Sequence, residues 1–490
     1  MAILVIDIGT SGVRSATVGH DGVPAHEHYR ETLPDCPADG LSEFDALAYV
    51  DAALGCARST LADADTAGLG VEGIGVSSQR GTAVVWDAET GNPVAPAQGW
   101  QDLRTLGDCL VLAGDGFRFA PNQAATKFAG IRASVDPGGS RDLRYGTPET
   151  WLIWCLTEGT SFVTDPTNAS LTGLATPDAL AWDGAICARL GLPVAGLPSI
   201  RSSSGSLGST ASGVLGRELD LLGVAGDQQA SLVGQGCVRP GMAKITFGTG
   251  AMLDLVVGPQ RPSAEMRAPG GTFPLVCWKR GDEIMWGIEA IMLSAGTNVQ
   301  WLRDDLGIIA SAADSDAVAG ACADSGGVVY VPAQMGLGTP YWDYGARGTL
   351  IGLTRGSGRS EVTRAVLEGI AHRGVDLLEA AEGDAGLQIE RLRIDGGMSA
   401  NGVFVQALAD LSGRVVEVAP VKDATTVGAA VLAGLESGMF SGWDEVEAMW
   451  SPSRIVEPTR GSDPEDARKR WARAVERSKS WYPELSGIDF

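Results

Sequence analysis

Two stretches of the chain carry the same hydrophobic and polar pattern. Ile3-Leu-Val-Ile-Asp-Ile8 is a short apolar, β-branched run that meets the small segment Gly9-Thr-Ser-Gly12, and Val13-Arg-Ser-Ala-Thr-Val18 leaves it with strand-like alternation. The pattern predicts a hairpin with a tight, glycine-bounded turn. Half a chain later, Ala243-Lys-Ile-Thr-Phe247 runs into Gly248-Thr-Gly250, and Ala251-Met-Leu-Asp-Leu-Val-Val257 leaves it. Two such hairpins predict two structurally related lobes, 1–240 and 241–490, whose turns meet in the cleft between them.

Between the hairpins, Val71-Glu-Gly-Ile-Gly-Val-Ser77 and Thr82-Ala-Val-Val-Trp-Asp87 read as strands joined by the polar Ser78-Gln-Arg-Gly81. The Ser- and Gly-rich 202–212 segment is expected to be a surface loop. In the second half, 290–302 and 361–379 place apolar residues three and four apart, as helices do. Leu392–Asp395 reads as a short strand, with helix from Asn401 onward. Near the end, Ser462 and Glu465 have capping-box spacing, with Pro464 in the first turn of a last helix. The basic residues Arg468, Lys469, Arg470, Arg473 and Arg477 on that helix read as a solvated face.

Composition narrows the function classes. The chain has 490 residues, 37 Lys plus Arg and 60 Asp plus Glu, a formal net charge of −23. Nucleic acid and anionic membrane are disfavoured as partners over most of such a surface. No apolar run approaches membrane-spanning length, and the first residues show no basic leader, so a cytoplasmic protein is expected. The eight Cys show no C-x-x-C pair and read as small buried hydrophobes in a reducing compartment rather than a disulfide framework. Gly68-Leu-Gly-Val-Glu-Gly73 matches a dinucleotide fingerprint by letter only, because it leads into a strand. No G-x-x-x-x-G-K-[ST] sequence occurs, and His26 and His28 have no third metal ligand nearby.

The hairpins carry the candidate chemistry. Glycines at the turns allow close backbone approach, while free N–H groups and the Thr10, Ser11 and Thr249 hydroxyls offer donors to phosphate oxygens. Asp7 ends the first strand, where a carboxylate facing the turn suits Mg²⁺. Gly226-Asp-Gln-Gln229 supplies a second isolated carboxylate, Asp227. Two readings of it stand: a base that accepts a hydroxyl proton during phosphoryl transfer, which has a loose transition state and asks little of its base, or a turn aspartate capping a helix.

Asp7-Ile-Gly-Thr-Ser-Gly-Val-Arg14, Gly226-Asp-Gln-Gln229, Phe247-Gly-Thr-Gly250 and Asp395-Gly-Gly-Met-Ser-Ala-Asn401 occur in the order and spacing of the FGGY carbohydrate kinases, and the chain resembles that family over nearly its whole length. Within the family the resemblance is to the glycerol kinases, through Thr82–Gly91, Trp151–Trp154, Thr164–Ser170, Gly338–Asp343 and Ala346–Gly348. It implies an α/β protein of two ribonuclease-H-like lobes, the actin-like ATPase superfold, around a central catalytic cleft. It implies ATP and Mg²⁺ as cofactors, a small polyol or sugar as partner, and a homo-dimer or tetramer as the assembly. By resemblance, Thr10, Ser11, Arg14, Gly248 and Thr249 contact phosphates, and Gly296, Gln300, Gly397 and Asn401 line the nucleoside pocket. Asp7 and Asp227 serve the metal, and Asp227 is the base. The alternative is a catalytically silent sensor built on the same fold.

The acceptor pocket implied by the resemblance is Gln79, Arg80, Gly81, Trp100, Asn122, Asp227, Gln228 and Met252. Glycerol kinases typically carry Arg-Glu where this chain has Arg80-Gly81, and aromatic wall residues where it has Asn122 and Met252. These departures predict a roomier pocket with a different polar pattern, suited to a longer polyol or a ketose such as a tetritol, pentitol or xylulose.

Overall fold

The computed structural model describes residues 1–264, 266–420, 423–459 and 464–488. Its first half is organised by a five-stranded sheet in the spatial order Leu221–Gly226, Val71–Ser78, Ala2–Ile8, Gly12–Gly19, Pro24–Glu31. The central hairpin is antiparallel, with Asp7 opposite Arg14, and Val71–Ser78 joins Ala2–Ile8 in parallel. Ala2–Ile8 is buried at every position but Asp7, because helices cover both faces of the sheet, which explains its unbroken apolar run. On one face lies Ala46–Thr66, whose start is fixed by Asp45 accepting from the Leu47 and Ala48 N–H groups.

The second half repeats the plan. A seven-stranded sheet runs Phe273–Arg280, Glu283–Met292, Ala251–Gly258, Ala243–Phe247, Arg391–Asp395, Val415–Val418, Arg454–Val456. Its middle five strands, counted in chain order, follow the same three-two-one-four-five arrangement as the first sheet. The long helix Arg359–Ala385 covers one face.

The halves are interlocked by two helices. Asp227–Gly234, at the end of the first half, packs on strands of the second sheet, while Ala424–Ser437 packs on strands of the first. They also pack on each other, and one hydrophobic cluster joins Ile3, Val5, Ala230, Val256, Trp278 and Val427. Among the described residues no helix is long and apolar enough to cross a membrane.

Several segments depart from what their sequence predicts. The 290–302 segment begins as the end of strand Glu283–Met292, and helix starts only at Thr297. The cross-strand partners of Ala290, Ile291 and Met292 on Ala251–Gly258 override their helical spacing. The 202–212 segment is not a surface loop: Ser203, Ser204, Leu207 and Thr210 are buried. Ser203 donates to Asp165, and Ser204 bridges both Gly223 and Arg280, stitching an edge of each sheet together. All eight Cys are free thiols as expected, but Cys36 is exposed. Arg468 leaves the solvated face of the last helix, Pro464–Ser478, to reach Asp376 and Glu379 at 2.7 Å each. Ser462 of the expected capping box lies outside the described residues.

Candidate active site

The strand Leu221–Gly226 delivers Asp227 as the first residue of its helix, with Oδ1 accepting from the Gln228 N–H at 2.8 Å. The helix start and the isolated carboxylate are therefore one feature. Burial raises the Asp227 carboxyl above its ordinary value, and the Arg80 guanidinium, whose Nε stands 3.6 Å from Oδ1, opposes that rise. Arg80 is itself held by Glu289 at 2.6 Å, so a first-half arginine is anchored by a second-half strand. Burial pushes Asp7 up to about 6, with the charge of Asp227 adding to the rise, and Asp7 Oδ1 is buried without a hydrogen-bond partner among the described residues.

The first turn is bound to the acceptor side. Thr10 Oγ1 donates to Gln79 Oε1 at 3.3 Å and accepts from Trp100 Nε1 at 3.0 Å. Gln79 donates in turn to the Tyr49 hydroxyl at 3.1 Å. Ser11 is exposed at the turn. Arg14 pairs with Asp423 and lies 3.3 Å from Glu27. In the second half, the Gly248-Thr249 backbone accepts from Ala295 and Gly296 at 2.8 and 2.9 Å, bringing the turn against the start of helix Thr297–Asp304. Thr249, Gln300 and Gly397 are exposed. Asn401 is buried, and both ends of its amide are engaged, one capping helix Gly402–Ser412 at Phe404 N and one donating to Ser315. It offers a wall rather than a free polar group. A separate cavity of about 970 Å³ opens on the next turn of that helix, against Asp316 and Gly402, and contains none of Asp7, Arg80 or Asp227.

The expected extra room at Gly81 is absent. Gly81 has φ +75°, and a Cβ placed there would stand 2.2 Å from the Asn122 carbonyl oxygen and 3.5 Å from Trp100 Cβ. The backbone of Asn122 thus fills the direction a side chain at 81 would take. Lys127, wholly buried, braces this turn by donating to the Gly81 carbonyl at 3.3 Å, and burial pushes its amine down to about 7.

Three charged residues that the motif reading passed over complete the floor of the site. Lys244, Asp254 and Glu289 are buried cross-strand neighbours. A signal existed in the sequence: each is one charge flanked by apolar residues on both sides, Ala243 and Ile245, Leu253 and Leu255, Ile288 and Ala290. A strand buried on both faces admits a charge only where a partner awaits it.

The two interlocked α/β lobes, with isolated carboxylates beside glycine-bounded turns, define a two-lobed phosphotransferase. The chain matches the FGGY family of carbohydrate kinases, N-terminal domain over residues 2–234 and C-terminal domain over 243–437. It is 38% identical over 506 residues to the glycerol kinase of Rhodopirellula baltica, covering 100% of this chain and 93% of the relative. It is 39% identical over 503 residues to that of Symbiobacterium thermophilum, covering 98% and 99%. Among solved structures, Plasmodium falciparum glycerol kinase with ADP superposes with a TM-score of 0.90 at 28% identity, covering 97% of this chain and 98% of that one. A xylulose kinase from Brucella ovis gives 0.86 at 25% identity, with both chains covered in full. The chain belongs to the FGGY family of carbohydrate kinases: it is an ATP-dependent phosphotransferase acting on the hydroxyl of a small polyol or sugar.

Proposed function

We propose that Asp227 accepts the proton of the attacking hydroxyl while Arg80 and Gln228 hold the acceptor, and that the acceptor is a polyol or ketose longer than glycerol, a reading that rests on Asn122 and Met252 standing in place of aromatic wall residues and not on room at Gly81. The carrying observation is the placement of Asp227: it starts a helix, is flanked by a guanidinium at 3.6 Å, and lies close enough to Asp7 to raise its carboxyl. A carboxylate so placed orients a hydroxyl and takes its proton late, as a loose transition state requires. Gln79 and Trp100, joined through Thr10, link the acceptor wall to the first phosphate turn. Met252 and Asn122 complete that wall, and Gly81 contributes its backbone. Thr10, Ser11, Arg14, Gly248 and Thr249 receive the phosphates, and Gly296, Gln300, Gly397 and Asn401 the nucleoside. Residues 1–240 thus carry the base and all of the acceptor site but Met252, and 241–490 the second phosphate turn and the nucleoside wall.

The residues fit Mg²⁺. Asp7 presents a buried oxygen that has no hydrogen-bond partner among the described residues, within reach of the Asp227 charge. That donor set suits an ion held by one or two carboxylates and completed by substrate phosphates and water. When bound, it would neutralise charge on the phosphate oxygens. The reading also places the protein in the cytoplasm as a dimer or tetramer.

The direct test is ADP release, matched to phosphorylated product, over glycerol, tetritols, pentitols and ketopentoses. Highest kcat/KM on a four- or five-carbon acceptor is expected, and a clear preference for glycerol would overturn the substrate proposal. Asp227→Asn is expected to lower kcat by about 10²-fold or more while ATP binding by calorimetry is retained. Near-normal turnover would remove Asp227 from the role of base.

A further inference from the structure

The side chain of Lys244 is fully buried. Its ammonium donates to Gln228 Oε1 at 2.7 Å and to Thr246 Oγ1 at 2.9 Å, and stands 2.8 Å from Asp254 Oδ2. The last approach is a close pairing of opposite charges, both of them buried. Glu289, beside Asp254 on the next strand, is taken by Arg80 and does not compete for the ammonium.

An ammonium has three N–H donors and no acceptor. The Gln228 amide therefore meets Lys244 with its oxygen, since the flipped amide would set an NH₂ group against an NH₃⁺. This leaves the Nε2 donors directed elsewhere, and no protein acceptor meets them among the described residues. Gln228 is only partly buried and immediately follows Asp227.

We propose that Lys244 is a positioning residue for the transfer: it fixes Gln228 as a donor-only group, so that the acceptor must present an oxygen lone pair, hydroxyl or carbonyl, at that point. The same contact ties the strand that ends in the second phosphate turn to the helix that begins with Asp227. Asp254 supplies the counter-charge that makes a buried ammonium tolerable there. This inference rests on the reading that Gln228 lines the acceptor pocket.

The test is steady-state kinetics on the best acceptor of the panel above, with acceptor and ATP varied separately. Four proteins are compared: wild type, Lys244→Met/Asp254→Leu, Gln228→Ala, and the combination of all three. The paired replacement removes both charges at similar volume, and the buried Asp395, which also feels the Lys244 charge, keeps its hydrogen bond from Ser231. It is expected to raise the acceptor KM about tenfold or more and the ATP KM less than about twofold, and to add less than about twofold once Gln228 is Ala. An equal loss in both backgrounds, or an equal rise for ATP, overturns the proposal. If Gln228→Ala alone leaves the acceptor KM unchanged, the placement of Gln228 in the acceptor pocket fails, and the role of Lys244 with it. Should the paired replacement not fold, Gln228→Glu carries the test. Held through one oxygen by the same ammonium, it offers no N–H, so it is expected to bind acceptor more weakly than Gln228→Ala, and equal or tighter binding overturns the proposal.

Discussion

At Gly81 the fold closes a route that the residue's small size would open. Glycine in place of a carboxylate suggests space, yet the Asn122 carbonyl lies 2.2 Å from where a Cβ would be, and φ is +75°. Gly81→Ala is therefore expected to destabilise the protein by about 2–4 kcal/mol in denaturant titration, by overpacking and backbone strain together. Gly81→Glu is expected to do worse and to confer no glycerol preference in the acceptor panel. Retained stability in either variant would show that the Asn122 backbone yields easily. The glycine itself was legible in the sequence; the carbonyl filling its space comes from a segment 41 positions away and was not. Lys244 was hidden for a related reason, since its partners Gln228 and Asp254 become neighbours only through strand register and helix packing.

At the level of elements, the helix that presents Asp227 is set by contact with Ala424–Ser437. A Cβ at Gly234 would fall 1.9 Å from the Ala424 carbonyl oxygen, and one at Gly428 only 1.7 Å from that of Ala230. The helices touch through backbone. Gly428→Ala is thus expected to cost several kcal/mol in stability, roughly 3 or more, and to lower kcat more than a stability loss alone predicts, because the helix must shift and carry Asp227 with it. Kinetics well below the melting temperature, beside thermal unfolding, separate the two effects. The last helix is fastened differently. His372 stacks on Trp471 with ring centroids 4.9 Å apart, its Nδ1 lies 3.3 Å from an Arg468 nitrogen, and Asp376 takes Arg468, Arg373 and Trp471. Burial, with Arg468 adding to it, pushes His372 down to about 3 from its ordinary 6.5. A base held neutral in the fold but not in the unfolded chain contributes stability that is complete above pH 6.5 and lost as pH falls from there toward 3. The loss is at most about 5 kcal/mol. His372→Phe, which keeps the stack, is expected to flatten the acid limb of a stability-against-pH curve between pH 6 and 4; an unchanged limb would assign acid loss to other groups.

For the whole molecule, a formal charge of −23 on 490 residues means net self-repulsion at pH 7. Raising salt from about 0.05 to 0.5 M shortens the screening length and is expected to raise Tm by a few degrees. A flat or falling Tm by calorimetry would show that attractive pairs such as Arg239–Asp444 and Arg217–Asp65 outweigh the excess.

The sequence by itself determined the two hairpins, the two-lobed α/β plan, the family and the kinase class, because short-range pattern dictates strands and turns and because the phosphate motifs are contiguous in the chain. It also fixed Asp7 and Asp227 as isolated carboxylates at element ends. Only the tertiary structure decided that 290–292 is strand, that 202–212 stitches the sheets together through buried Ser203 and Ser204, that Arg468 turns inward, and that Gly81 faces a filled space. It alone assembled Arg80 with Glu289 and Lys244 with Gln228. Each of these depends on a partner from a distant segment, and the free energy of placing a charge or a backbone carbonyl in the interior is set by that partner, not by its neighbours in sequence.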